Sequence, residues 1–103
     1  MRLTSRQVQT IKSAVLRRFG AGAHVWLFGS RVDDKRRGGD FDLYLETELT
    51  EPDDIIDRKI GLLADLHATP EFEDEKIDLV IRPPLPDVEL PIYRIARTEG
   101  VAL

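Results

Sequence analysis

The length, composition and charge of this chain are those of one small globular domain. Its 103 residues, of which 42% are hydrophobic and 33% charged, can form a single modest core, so we expect one domain over residues 1–103. The absence of cysteine excludes disulfide scaffolds, thiol chemistry and cysteine-ligated zinc. A net charge of −4 argues against broad attachment to nucleic acid. The N-terminal stretch resembles neither a signal peptide nor a membrane span, so we expect a cytoplasmic protein without a membrane partner.

The N-terminal quarter is predicted to form a helix followed by a strand. Apolar residues recur at helical spacing over residues 4–19, which indicates an amphipathic helix with Thr4 or Ser5 as its N-cap. Gly20 favours the end of this helix, because glycine accepts the left-handed conformation without steric cost. Residues 23–28 then form a short apolar run that is typical of a buried strand.

A loop, a second strand and a second helix are predicted next. Residues 29–39 contain three glycines and a cluster of basic residues, a composition typical of a loop. Polar and apolar side chains alternate over residues 40–45, which predicts a strand with one face on the core and the other available for chemistry. Thr50 and Asp53 resemble a capping box, and helical spacing continues from there to about Ala68.

The C-terminal part adds a third strand, a short helix and a last strand. Residues 76–81 are apolar on both strand faces apart from Asp78, as expected of a strand that is covered on each side. Residues 90–96 indicate a short closing helix, and residues 101–103 a last short strand. The predicted fold class is α/β (α+β), with helices packed on a small mixed sheet of three to five strands.

Asp40 and Asp42 point to the same face of the second predicted strand and form a candidate metal pair. Their Cα atoms are expected about 6.6 Å apart, since a strand rises about 3.3 Å per residue. Two carboxylates at this separation can bind one Mg²⁺ or bridge two ions about 3.5–4 Å apart. Gly29 and Ser30 provide a candidate phosphate cradle, because glycine permits close backbone approach and serine adds a hydroxyl and an N–H. Magnesium takes its remaining ligands from water and substrate phosphates.

Asp78 is the third candidate carboxylate, and it lies in an otherwise apolar strand. Burying an ionised carboxylate costs several kcal/mol unless a partner or a metal compensates it. If its strand adjoins that of Asp40 and Asp42, all three can hold metal, and Asp78 can also act as a general base. An ion pair with Lys76 or with an arginine is an alternative role for Asp78. Tyr44 lies on the same strand face as the first two aspartates, so it is a candidate nucleotide contact.

These motifs together resemble the polymerase-β-type nucleotidyltransferase superfamily, and specifically its minimal nucleotidyltransferases. The resemblance covers nearly the whole chain and rests on Leu27-Phe-Gly-Ser-Arg31, Asp40-Phe-Asp-Leu43, Ile77-Asp-Leu79 and the tail over residues 91–103. It implies a nucleotidyltransferase fold in which Gly29 and Ser30 hold the triphosphate and Arg31 is a further basic contact. It assigns the catalytic and metal-binding roles to three carboxylates, Asp40, Asp42 and Asp78.

The resemblance further implies a reaction and a kind of partner. Larger members of the superfamily bind the acceptor with an additional helical domain, which these 103 residues do not contain, so we expect the acceptor to be a second protein. Minimal nucleotidyltransferases commonly pair with helical HEPN-type toxins, and some act as antitoxins by transferring AMP from ATP to a tyrosine of the toxin. We therefore expect an ATP-using antitoxin that requires Mg²⁺, with two ions in its site. The alternatives are a catalytically vestigial module that neutralises its partner by occlusion and an enzyme that modifies a small-molecule hydroxyl.

Overall fold

The computed structural model describes residues 3–29, 41–85 and 88–103. In chain order its elements are α1 (Ser5–Phe19), β1 (His24–Phe28), β2 (Phe41–Glu46), α2 (Pro52–His67), β3 (Ile77–Arg82), α3 (Pro91–Glu99) and β4 (Val101–Ala102). The strands form one sheet in the order β3-β2-β1-β4, in which β2 and β3 are parallel and β1 is antiparallel to both of its neighbours. The predicted α+β fold, with helices packed on a small mixed sheet, is therefore confirmed.

α1 begins and ends at the residues that the sequence predicts. The Thr4 hydroxyl accepts a hydrogen bond from the Gln7 N–H at 3.1 Å, and the Gln7 side chain accepts one from the Thr4 N–H at 2.9 Å. This reciprocal pair is a capping box, which satisfies backbone donors that have no partner inside the helix. Gly20 ends the helix with a φ angle of +82°, and its N–H donates to the Leu16 carbonyl.

α2 begins one residue later than predicted, and the expected Thr50 cap is not formed. The N-cap is Glu51, whose side chain makes no capping hydrogen bond, and Pro52 occupies the first helical position. Proline is favoured there because its missing N–H would have no partner within the helix. Asp53 and Asp54 lie in the first turn, where negative charge interacts favourably with the helix dipole. Among the described helices, none combines the length and apolar character that crossing a membrane requires.

One face of the sheet packs against α1 and α2 and forms the main core. Alternate strand residues point to this face, and the two helices contribute apolar side chains from the other side. Its most deeply buried members are Ile11, Leu27, Phe41, Leu43, Leu45, Leu62, Leu66 and Phe72. An ion pair joins the two helices at the rim of this core, because Arg18 donates to both carboxylate oxygens of Asp65, at 2.7 and 2.9 Å.

The second face of the sheet is covered over its centre by α3. Tyr44 is completely buried there, with its ring centroid 5.8 Å from that of Tyr93 and 5.3 Å from that of Trp26. Phe28 and Ala96 complete this smaller apolar cluster. The expectation that this whole face is available for chemistry is therefore wrong for its centre. Because α3 occupies that surface, Tyr44 is a core residue and not an accessible nucleotide contact.

Candidate functional site

Asp42 and Asp78 lie directly opposite each other on neighbouring parallel strands. In the register of β2 and β3, the Cα atom of Asp42 pairs with that of Asp78. Neighbouring strands lie about 4.8 Å apart, and opposite residues point to the same face of the sheet. Both side chains therefore lie on the second face, beyond the part that α3 covers. The strand of Asp78 thus adjoins that of Asp42, as the predicted convergence of their carboxylates requires.

Asp78 is exposed, which corrects one step of the sequence argument. β3 is an edge strand of the sheet, and its second residue projects to solvent while the first and third are buried. The prediction of a strand covered on each side is therefore wrong at this position. The cost of burying the Asp78 charge does not arise, so the apolar character of the strand is no evidence for a metal there. The position of Asp78 opposite Asp42, which is half-buried, is the evidence that remains.

Gly29 follows β1 and lies against the carboxylate of Asp42. Its φ angle is +76°, in the region that favours glycine. A Cβ atom at this position would be 3.0 Å from Asp42 Cγ and closer still to Oδ2. The preceding residue, Phe28, is the Cα partner of Asp42 across the β1–β2 ladder. The Asp42 carboxylate therefore occupies the space that a side chain on residue 29 would take.

The other predicted site residues, Ser30, Arg31 and Asp40, lie outside the described residues. Within the described ranges 3–29, 41–85 and 88–103, no group of three or more histidine, aspartate or glutamate side chains is placed to hold a metal ion. The two carboxylates that the structure does bring together are hard oxygen donors. They fit the chemistry of Mg²⁺, which takes one or two carboxylates and completes its shell with water and phosphate oxygens.

The opposite end of the same sheet face carries a network of charged side chains that the sequence analysis missed. Glu46 accepts a hydrogen bond from the Tyr44 hydroxyl at 2.6 Å and one from Arg97 at 3.3 Å. Arg97 also donates to Glu89 at 2.8 Å, and Arg82 lies 3.6 Å from both glutamates. Burial and the hydrogen bond to Glu46 raise the pKa of Tyr44, so its hydroxyl stays protonated. Because these residues come from β2, β3, α3 and the segment that precedes α3, no local pattern in the sequence could indicate the network.

A cavity of about 510 Å³ adjoins this network, at the end of β2 and β3 that lies away from Asp42 and Asp78. Its lining includes His24, Glu46 and Arg82, so that acidic and basic side chains face the same space. The cavity is therefore separate from the candidate site, and its mixed charge does not make it a phosphate pocket.

Comparison with known proteins adds no family to these observations. No protein-family model matches the sequence, and no curated protein matches it either. The arrangement of Gly29, Asp42 and Asp78 is therefore the structural basis for a functional proposal.

Proposed function

We propose that this chain is a Mg²⁺-dependent nucleotidyltransferase that transfers AMP from ATP to a protein partner. The observation that carries the proposal is the cross-strand pair of carboxylates, Asp42 and Asp78, with Gly29 directly beside Asp42. Like charges in directly opposite positions destabilise a sheet. Two carboxylates that point to one face of a sheet can nevertheless share a bound Mg²⁺, and glycine lets the backbone at residue 29 approach a phosphate closely.

Each residue of the site has a distinct role in this proposal. Asp42, together with Asp40, supplies oxygen ligands for Mg²⁺, which neutralises charge on the phosphate oxygens when it is bound. Gly29 and Ser30 give the triphosphate close access to backbone N–H groups. Asp78 accepts the proton of the acceptor hydroxyl, whose oxygen bonds to the α-phosphorus as pyrophosphate leaves. The exposed position of Asp78 supports this role, because a protein acceptor can reach it.

The proposed acceptor is a tyrosine of a HEPN-type toxin, and the chain would then act as its antitoxin. This part of the proposal derives from the resemblance of the sequence motifs to minimal nucleotidyltransferases. It is consistent with the architecture of the described residues, whose helices pack on one sheet and form two apolar clusters with it.

Transfer of labelled AMP tests the proposal directly. The purified chain is mixed with Mg²⁺, ATP labelled at the α-phosphate and the HEPN-type protein encoded beside its gene. We expect label on that protein, loss of labelling when EDTA removes the metal, and at least about 100-fold slower transfer by Asp42→Asn and Asp78→Asn. Asp74→Asn changes an exposed carboxylate outside the site and should transfer AMP at the normal rate. Absence of label from the partner under all conditions would contradict the proposal.

Suppression of the toxin by the Asp42→Asn variant distinguishes catalysis from occlusion. If the chain modifies the toxin, this variant still binds the toxin but no longer suppresses its toxicity. If the chain acts by occlusion, suppression persists in the variant and the toxin never carries AMP. Circular dichroism and thermal unfolding establish that the variant is folded before either result is interpreted.

A further inference from the structure

β3 forms an edge of the sheet, and among the described residues no strand lies beside its outer backbone groups. The N–H groups of Phe41 and Thr47 donate to the carbonyls of Lys76 and Arg82, so the even-numbered residues of β3 face β2. The alternation of a strand then turns three residues outward, Ile77, Leu79 and Ile81. In the part of the chain that the structure describes, no hydrogen bond engages these outward groups. The other edge of the sheet, β4, has only two residues. The long edge is therefore the one that can accept a further strand.

Two apolar side chains of α2, Ile56 and Ile60, are exposed on the side of the helix that faces away from α1. Ile56 is 53% and Ile60 62% exposed, and both lie about half a turn around the helix from Asp65, which binds α1. α1 itself lies towards β4, because Val15 and Ala102 line one cavity. The side of α2 that faces away from α1 therefore lies on the β3 side of the sheet. We call Ile56 and Ile60 the α2 stripe.

We propose that a second copy of this chain covers the open edge and the α2 stripe. The two β3 strands pair in antiparallel orientation about a two-fold axis at Val80, which joins the two sheets into one of eight strands. In this register Asp78 of each copy lies opposite Arg82 of the other, whose guanidinium is also 3.6 Å from Glu46 and Glu89 of its own chain. Opposite charges therefore face each other on both sides of the axis. Moving the axis to Leu79 instead places Lys76 opposite Arg82, which is repulsive. The charges of β3 therefore favour one register of self-pairing.

The same arrangement buries the α2 stripe. Helices that pack on one face of a sheet lie about 10 Å apart, close to twice the spacing between strands. α2 of one copy and α2 of the other would then meet across the axis, each contributing Ile56 and Ile60. One interface thus accounts for an open edge and for an exposed apolar surface that lie side by side. This inference does not need the proposed function, but both use Asp78, and a carboxylate paired with Arg82 of a second copy is less accessible to an acceptor.

A single introduced cysteine tests the register. The chain has no cysteine, so Val80→Cys adds a unique thiol at the proposed axis. Residues opposite each other in a non-hydrogen-bonded antiparallel pair have Cα atoms about 4.5 Å apart, which a disulfide can span. We expect mild oxidation to convert Val80→Cys to a covalent dimer in high yield. Thr98→Cys, at an exposed position on α3, should stay monomeric on a denaturing gel. Equal cross-linking of both variants, or of neither, overturns the proposed register.

The mass in solution tests the dimer itself. Sedimentation or light scattering should give twice the chain mass of 11.7 kDa for the unmodified protein. Ile60→Glu puts a charge into the interface and should raise the dissociation constant of the dimer at least about tenfold. Leu16→Glu is the matched control, because Leu16 is 59% exposed on α1, and it should leave the dimer intact. A monomer at the highest soluble concentration, or equal effects of the two variants, overturns the proposal. Binding of a different protein at the edge, without self-association of this chain, overturns the proposal as well.

Discussion

Gly29 lies against Asp42, whose carboxylate occupies the space that a Cβ atom on residue 29 would take. A Cβ atom on residue 29 would be 3.0 Å from Asp42 Cγ, and the φ angle of Gly29 is +76°. Both facts make glycine the residue that this position accepts. The candidate site therefore requires a residue without a side chain at position 29.

Gly29→Ala should lower stability and also displace the Asp42 carboxylate. A positive φ angle costs a residue with a Cβ atom about 1–2 kcal/mol, and the collision with Asp42 adds to this cost. Gly20→Ala is the control, because Gly20 has a φ angle of +82° but nothing within 4 Å of the added Cβ. We expect urea unfolding to show lower stability for both variants. Titration calorimetry with Mg²⁺ should show weaker binding for Gly29→Ala alone. Equal Mg²⁺ affinities of the two variants would contradict the expected displacement of the Asp42 carboxylate.

Asp65→Asn should remove part of the acid sensitivity of the fold. The hydrogen bonds from Arg18 lower the pKa of Asp65 from 3.8 to about 2 in the folded chain. A carboxylate with a depressed pKa contributes stability above its unfolded pKa, and this contribution is lost as the pH falls from about 4 to about 2. Urea unfolding at several pH values should therefore show a smaller loss over this range for Asp65→Asn than for the unmodified chain. Asp57→Asn changes an exposed acid of the same helix and should keep the normal pH dependence.

Gly61→Ala should stabilise the protein at neutral pH while loosening the ion pair between α1 and α2. Alanine is more favourable than glycine inside a helix by about 1 kcal/mol. The added Cβ would come within 2.9–3.1 Å of the Arg18 guanidinium, which is the end of a flexible side chain and can move away from Asp65. We expect a net gain of up to about 1 kcal/mol at pH 7, together with a smaller acid-induced loss between pH 4 and pH 2. A loss of stability at pH 7 would mean that Arg18 cannot move.

Tyr44→Phe should lower stability and leave the proposed AMP transfer unchanged. The Tyr44 hydroxyl donates to Glu46 at 2.6 Å inside the apolar cluster under α3, and a hydrogen bond to a charged group contributes about 1.5–3 kcal/mol. Tyr93→Phe is the control, since the structure assigns the Tyr93 hydroxyl no hydrogen bond within the described residues and its ring packing is retained. Thermal unfolding should show the larger loss for Tyr44→Phe. A rise in the KM for ATP with unchanged stability would instead indicate that Tyr44 contacts the nucleotide.

Much of the secondary structure is predictable from the sequence because its signals are local. Thr4 and Gln7 form the cap of α1 three residues apart, and the alternation that defines β2 lies within six residues. The cap of α2 is an exception, because Pro52 takes the first helical position and Glu51, not Thr50, is the N-cap. Where local signals indicate different start residues for a helix, their spacing alone does not decide which residue forms the cap.

The parts that the sequence does not reveal depend on which elements pack together. Asp78 and Val80 share one face of β3, but α3 and its cluster lie against Val80 and leave Asp78 in solvent. The position of β3 at the edge of the sheet follows from the strand order, which no pattern within the strand encodes. The pairing of Asp42 with Asp78 is also non-local, and the sequence argument has it only as a condition, that their strands are neighbours. Parallel strands joined by a helix commonly meet this condition.

The candidate site draws one residue from the end of each of three strand segments, Gly29 after β1, Asp42 in β2 and Asp78 in β3. No two of these residues are close in sequence, so the site exists only once the sheet has assembled. A ligand that binds there has nothing to recognise in a partly folded chain. Its stabilising effect should therefore appear as slower unfolding, with the folding rate unchanged, when the two rates are measured separately with and without nucleotide and Mg²⁺. In the cell, such a ligand would extend the lifetime of the folded chain without helping it to fold.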